Sequence, residues 1–255
     1  MSNQPNQFSA IFTPESVVVT GLNVTEKEIS HEDFLRFYSK TQSVEVVEAD
    51  PVLLPSNCIL MDRTKARMRL NCYYPSSKKP LIFQHSDNHK LEIITPNIII
   101  SYVLLKGGAP GEWILETNQP KYFCTPYTVG RLPKDFIAAI DRPAGVYLMP
   151  FSNTYEGGNM CFGNNTMPRR FVENNLRGLD YYYAYMWETP FNSDLGIKAA
   201  SVDSVKLWYT TLEALAKKNL PFPYRKLRGF IQEEAAPPIP GFDEIWAKIH
   251  RRDSF

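Results

Sequence analysis

An excess of charge of either sign is missing from this 255-residue sequence: 28 Lys and Arg stand against 27 Asp and Glu, a net charge of +1. So even a balance makes no field that would recruit nucleic acid or an anionic membrane by charge alone. A long apolar run is missing too. The most apolar stretch, residues 98–105, falls far short of the roughly 20 residues that span a bilayer. Residues 1–20 hold no basic segment followed by an apolar one, so a soluble, unexported, cytoplasmic protein is expected. The four cysteines, Cys58, Cys72, Cys124 and Cys161, are separated by 14, 52 and 37 residues. Those spacings match no paired zinc or disulfide framework and read as four separate thiols. Repeats, low-complexity tracts and a Gly-x-Ser-x-Gly elbow are absent as well, and no histidine lies near a plausible Ser or Cys nucleophile, so no triad can be drawn.

What is present is a globular composition, 44% hydrophobic and 22% charged, long enough for one elaborated domain with a substantial core. Twenty prolines, near 8% where about 5% is usual, favour turns and extended segments over a helix bundle. Residues 16–24 read as a β-branched strand. Ser30 with Asp33 three residues on resembles a capping box opening a short helix through Phe34, Leu35 and Phe37, and residues 44–48 alternate weakly. Short strand candidates follow at 59–61, 68–74, 81–84, 91–95 and 98–105, separated by Pro, Ser and Asn clusters in the spacing of an antiparallel meander. Residues 106–111, with Gly107, Gly108 and Gly111, read as a hairpin turn to a strand at 113–116. A phosphate cradle is the weaker reading, since the Gly-Lys-Ser/Thr ending is missing. A last short strand covers 146–149.

Beyond residue 150 the periodicity becomes helical, over 169–179 and especially 201–218, where Val205, Trp208, Leu212 and Leu215 share a face. Sheet first and helices after is the order of an α+β fold. Residues 235–240 form a Pro-containing spacer before a last helical segment around Trp246. His85 and His89 have a spacing that binds metal on a helix, but their segment has loop composition, and no metal is expected. The aromatics Tyr181, Tyr182, Tyr183, Tyr185 and Trp187 lack basic interleaving and read as core and core edge, not as a base-stacking surface.

The chemistry concentrates in Pro150-Phe151-Ser152-Asn153-Thr154-Tyr155-Glu156-Gly157-Gly158-Asn159-Met160-Cys161-Phe162-Gly163-Asn164. Two glycines just before Cys161 place its thiol on an accessible loop, against the plain alternative of a buried structural cysteine. With no His or Lys close by, this thiol is poorly equipped as a hydrolytic nucleophile. Transthioesterification suits it better, because the incoming acyl group already sits on a thiolate leaving group. Such exchange needs an accessible thiol and an oxyanion donor, which the Asn153 amide can supply.

The same loop resembles that of ubiquitin-conjugating enzymes, in which the catalytic cysteine lies eight residues beyond the Asn of a His-Pro-Asn motif. Asn153, Tyr155, Gly158 and Cys161 fit that pattern, but Phe151 and Ser152 stand at the His and Pro positions. The closer resemblance is to prokaryotic family D of ubiquitin-conjugating-like proteins, which includes PRTRC system B-type proteins. Its pattern, Pro-Phe/Tyr-x-Asn then Gly-x-x-Cys-x-Gly, is met by Pro150, Phe151, Asn153, Gly158, Cys161 and Gly163.

The resemblance implies a ubiquitin-conjugating-like domain over 51–228, a meander with helices on one side. Residues 1–50 would be an amino-terminal β-β-α addition and 229–255 a spacer and terminal helix. It further implies Cys161 as thioester acceptor, Asn153 as oxyanion donor, and Tyr155, Glu156 and Gly158 on the substrate side, with no cofactor on this chain. Its implied partners are a ubiquitin-like protein, an adenylating activating enzyme and a metallopeptidase of the same operon, with neither nucleic acid nor membrane. Two alternatives remain open: a catalytically silent binding subunit of a plasmid-maintenance or defence assembly, and an unrelated α+β protein in which Cys161 is incidental.

Overall fold

The computed structural model describes residues 8–12, 17–21, 24–30, 33, 53–55, 57–84, 88–117, 119–131, 145–200, 202, 204–228 and 239–250. Along the chain its strands are β1 (Phe8–Phe12), β2 (Val17–Gly21), β3 (Val24–Ile29), β4 (Cys58–Arg63), β5 (Arg67–Tyr74), β6 (Lys78–Gln84), β7 (Asn88–Ile94), β8 (Asn97–Lys106), β9 (Glu112–Leu115), β10 (Lys121–Thr125), β11 (Tyr147–Leu148) and β12 (Arg170–Val172). The helices are α1 (Tyr181–Glu188), α2 (Val205–Lys217) and α3 (Phe242–His250). The fold is α+β. Among the described residues no helix is long and apolar enough to cross a membrane.

The chain forms two interleaved compact units. One draws its described residues from Met1–Tyr73, Ser101–Asn118 and Pro168–Asp180, the other from Tyr74–Ile100, Gln119–Met167 and Tyr181–Phe255.

In the first unit β4 joins β5 antiparallel and β1 antiparallel, and β1, β2 and β3 continue as successive antiparallel neighbours. The expected strand at 16–24 is therefore the β2–β3 hairpin. The Ser30 hydroxyl accepts the Asp33 N–H at 3.0 Å, the bond a capping box requires. Phe34, Leu35, Phe37 and residues 44–48 lie outside the described residues. On β5, Met68, Leu70 and Cys72 alternate onto one face and are fully buried. The β8–β9 connection is the hairpin turn expected from its glycines: Gly107 N–H donates to Glu112 O at 2.8 Å, and Gly111 takes the left-handed φ of 68°.

Residues 169–179 depart from the helical reading. Phe171, Leu176 and Leu179 are buried, which explains the apolar spacing, but Arg170–Val172 pair with Ile114–Glu112 as β12, and the helical part shrinks to a 3₁₀ turn at Arg177–Asp180. An antiparallel partner in β9 satisfies the backbone that a helix would have satisfied locally, and the Arg63–Glu173 ion pair holds the end of that segment.

In the second unit β6 and β7 pair along their full length as a separate two-stranded sheet, with Leu81 opposite Leu91 and Phe83 opposite His89. His85 falls outside the described residues, and His89 is in a strand, not on a helix. β10, which sequence periodicity did not show, pairs with β11 through Phe123↔Leu148 and Cys124↔Tyr147. α1 packs against β6 and α2 against β7. α2 starts where Ser204 Oγ accepts the Leu207 N–H, and it buries Trp208, Leu212 and Leu215 as the periodicity requires. Val205 is half-buried at its start. α3 lies on α2 through Leu215, Phe242 and Ile245, and Lys226 Nζ stands 4.2 Å from the Trp246 ring centroid. On α1, Tyr182, Met186 and Trp187 are buried while Tyr181 is exposed, so the aromatic cluster is core and core edge.

Candidate active site

The chain leaves β11 into the second unit's core. Phe151 is buried against Trp187, Phe191 and Tyr209, at ring-centroid distances of 5.7, 5.3 and 6.3 Å. Two consecutive residues of α2 fix the backbone on either side of it. Trp208 Nε1 donates to Pro150 O at 2.8 Å, and the Tyr209 hydroxyl accepts the Ser152 N–H at 3.1 Å while meeting Ser152 Oγ at 3.0 Å. Phe151 and Ser152 thus serve as packing and anchoring residues where a His-Pro pair is absent.

Residues 153–161 then form a tight hairpin. Cys161 N–H donates to Asn153 O at 2.7 Å, Thr154 and Met160 form an antiparallel bridge, and Tyr155 N–H donates to Asn159 O at 2.8 Å. The loop is Glu156-Gly157-Gly158, closed by Gly158 N–H to Tyr155 O at 2.9 Å. Three residues on each arm and three in the loop account for the separation of eight between Asn153 and Cys161. Since side chains alternate along each arm, Asn153, Tyr155, Asn159 and Cys161 share one face, with Asn153 directly across from Cys161 and Tyr155 on its diagonal.

Gly158 makes the turn possible. Its φ is 86°, a Cβ there would come within 3.3 Å of the Phe123 ring, and its carbonyl accepts the Tyr122 N–H at 2.8 Å. Gly158→Ala is expected to lower stability by about 1–3 kcal/mol and to shift Cys161 from its position across from Asn153. Denaturant unfolding reads the first effect. The rate of Cys161 alkylation reads the second.

Asn153 is 6% exposed, and its amide reaches outward from the hairpin. Nδ2 donates to Pro190 O at 3.0 Å, and Oδ1 accepts the Asn192 N–H at 3.2 Å, partners 37 and 39 residues away. Residues 190–192 are themselves held to β6, since Phe191 N–H donates to Ile82 O at 2.8 Å and Gln84 N–H to Phe191 O at 2.7 Å. The Asn192 and Asp194 side chains turn back on each other's segment to close it. Asn153 therefore ties the hairpin to a fixed strand-like segment. That uses one of the two N–H groups of its amide.

Among the four cysteines Cys161 alone is half-exposed; Cys58, Cys72 and Cys124 are buried. The Tyr155 phenol, 42% exposed, is hydrogen-bonded to the Cys161 thiol, and this pairing holds the phenol above its ordinary value. Glu156 is exposed at the tip, with Lys198 Nζ 4.0 Å from its carboxylate. Just past the thiol, Phe162 is buried against Tyr182 and Tyr185, so Cys161 is anchored from both sides. Asn153, Tyr155, Glu156, Gly158 and Cys161 are thus brought together on one hairpin. The bracing role of Pro190, Asn192, Trp208 and Tyr209, which hold that hairpin, escaped the sequence reading, in which Trp208 stood on the apolar face of α2.

The comparison with known families converges on the same segment. Residues 138–230 match prokaryotic E2 family D. The match takes in the hairpin, α1, α2 and each of the residues that brace Asn153 and Ser152, and it is shorter than the ubiquitin-conjugating-like domain expected over 51–228. No curated protein and no solved structure matches the chain.

In this E2-like segment Tyr209 gives a direct test of the anchoring. Burial pushes its phenol well up, against a smaller lowering by the Ser152 bonds. Tyr209→Phe strands the buried Ser152 N–H, and a loss of about 1–3 kcal/mol is expected in denaturant unfolding at neutral pH. The pH dependence has a defined sign. A phenol whose folded value is raised contributes stability that is complete below the unfolded value near about 10 and is lost as pH rises through the folded value. Wild type should therefore weaken steeply above that pH, and Tyr209→Phe less steeply.

Proposed function

We propose that this protein is a ubiquitin-conjugating-like carrier that accepts a ubiquitin-like modifier as a thioester on Cys161 and passes it to an amine. The observation that carries the reading is the half-exposed Cys161 thiol, directly across a braced hairpin from Asn153, inside the segment that matches prokaryotic E2 family D. In loading, Cys161 sulfur attacks the modifier's thioester carbonyl on an adenylating activating enzyme. The new C–S bond forms, the old one breaks, and the departing thiol takes the proton. In discharge, an amine nitrogen attacks the same carbonyl, the C–N bond forms, and the Cys161 C–S bond breaks with the proton passing to the thiolate. The uncommitted N–H of Asn153 donates to the oxyanion, while Tyr155 and Glu156 border the approach of the amine. A metallopeptidase of the same operon would process the modifier.

The test is a non-reducing gel of the purified protein with candidate activating enzyme, modifier and ATP. The expected product is a thiol-labile band of the summed mass. An activating enzyme that loads itself but never transfers to this protein would overturn the reading.

A second reading is a silent docking subunit of a plasmid-maintenance or defence assembly. The engagement of the Asn153 amide by Pro190 and Asn192 favours it, because that amide has a complete bracing role without any chemistry. On this reading the protein binds the modifier or its activating enzyme with equal affinity before and after Cys161→Ala, and no covalent adduct forms.

A further inference from the structure

Away from the hairpin, the first unit holds a pair of thiols with no part in the conjugation chemistry. Cys58 of β4 stands directly opposite Cys72 of β5. The spacing of 14 residues suggests two separate thiols, but the β4–β5 register makes them neighbours. Tyr73 N–H donates to Asn57 O at 2.8 Å on the adjoining rung, while Cys58 N–H turns away to Pro55 O at 3.1 Å. The Cys58–Cys72 rung is therefore one without ladder hydrogen bonds between its own residues, the arrangement in which opposed Cα atoms lie closest, about 4.5 Å apart. That separation lies within the range a disulfide spans.

The Cys58 thiol donates to Leu60 O at 3.3 Å, and burial together with the neighbouring Cys58 thiol pushes the Cys72 thiol up. Cys72 is 0% exposed and Cys58 8%. The ladder slips by one residue immediately after Cys58, which leaves that stretch of β4 room to adjust.

We propose that Cys58 and Cys72 are a reversible dithiol modification site that closes to a cross-strand disulfide under peroxide. Cys58, the member that touches solvent, is attacked first. Its sulfur takes the distal oxygen of hydrogen peroxide, the O–O bond breaks, and water leaves behind a sulfenic acid. Cys72 sulfur then attacks Cys58 sulfur, the S–O bond breaks, the S–S bond forms, and a second water departs. Two thiols are oxidised and one peroxide is reduced. Burial selects the oxidant: hydrogen peroxide is close to water in size, whereas a glutathione disulfide has no room to form the mixed intermediate on a sulfur this enclosed. Cys161 differs, because Asn153 and not a cysteine lies across from it, so peroxide drives that thiol towards sulfinic acid.

The experiment treats the full chain with hydrogen peroxide, alkylates it under denaturing conditions and maps a non-reducing digest by mass spectrometry. The expected result is a peptide pair joined through Cys58 and Cys72, released by dithiothreitol, and absent after glutathione disulfide. In Cys72→Ala, Cys58 should advance to the sulfinic acid. Recovery of Cys58 and Cys72 as alkylated thiols, or of Cys58 as sulfinic acid in the wild-type chain, while Cys161 is oxidised, would overturn the proposal.

Discussion

Cys161→Ala is expected to yield a folded protein that takes up no modifier, the largest effect of any single change on the proposed conjugation chemistry. The thiol is half-exposed on a hairpin whose shape depends on backbone bonds and on Gly158, and its side-chain partner is the surface phenol of Tyr155. Removing it opens no core cavity, so the stability change should stay under about 1 kcal/mol. Adduct formation, by contrast, is expected to fall to nothing, since Cys58, Cys72 and Cys124 are too buried to meet a protein-sized thioester. Cys161→Ser should give a slow adduct that resists thiols, because an oxyester has replaced the thioester. Limited alkylation completes the test, with Cys161 expected to label before Cys58, Cys72 and Cys124. A collapse of the melting temperature in Cys161→Ala, or first labelling at a strand cysteine, would show a structural cysteine instead.

Asn153→Ala is expected to slow discharge to free lysine by about 10² to 10³ while loading falls much less. Aminolysis develops a full oxyanion that one well-aimed N–H can stabilise, whereas exchange between similar sulfurs asks less of the site. The same substitution has a second cost. It leaves the Asn192 N–H and Pro190 carbonyl without their partner, so a stability loss of about 1–3 kcal/mol accompanies the kinetic change. Asn153→Asp separates the two roles. The aspartate keeps an acceptor for Asn192 N–H but has no donor for either Pro190 or an oxyanion, so it should recover part of the stability and none of the discharge rate. Single-turnover loading and discharge, measured beside denaturant unfolding, decide the matter. Equal losses in both rates that track stability across the two variants would leave Asn153 with a bracing role alone.

Much of the architecture was legible because its causes are local. β4, β5, β8 and β9 fall where apolar, β-branched runs are broken by Pro, Asn and Gly, and α2 starts at Ser204 with its apolar face at helical spacing. The nine residues from Asn153 to Cys161 were legible as an accessible loop on account of their two glycines, while the hairpin and its common face rest on the backbone bonds of the folded chain. The difference in exposure between Cys161 and the strand cysteines follows from the same signals.

Tertiary structure decided whatever depends on a distant partner. Residues 170–172 have apolar neighbours at helical spacing yet pair with β9, and the short β10 emerges only beside β11. Whether Cys58 and Cys72 touch depends on strand register, which no 14-residue spacing encodes. The partners of the Asn153 amide lie 37 and 39 residues along the chain, and those of Ser152 and Pro150 sit 57 and 58 residues away on α2. Local composition set out the loop and its thiol. The hydrogen bonds that hold the hairpin in place satisfy backbone groups of segments far apart in the chain, and only the folded packing brings those segments within reach.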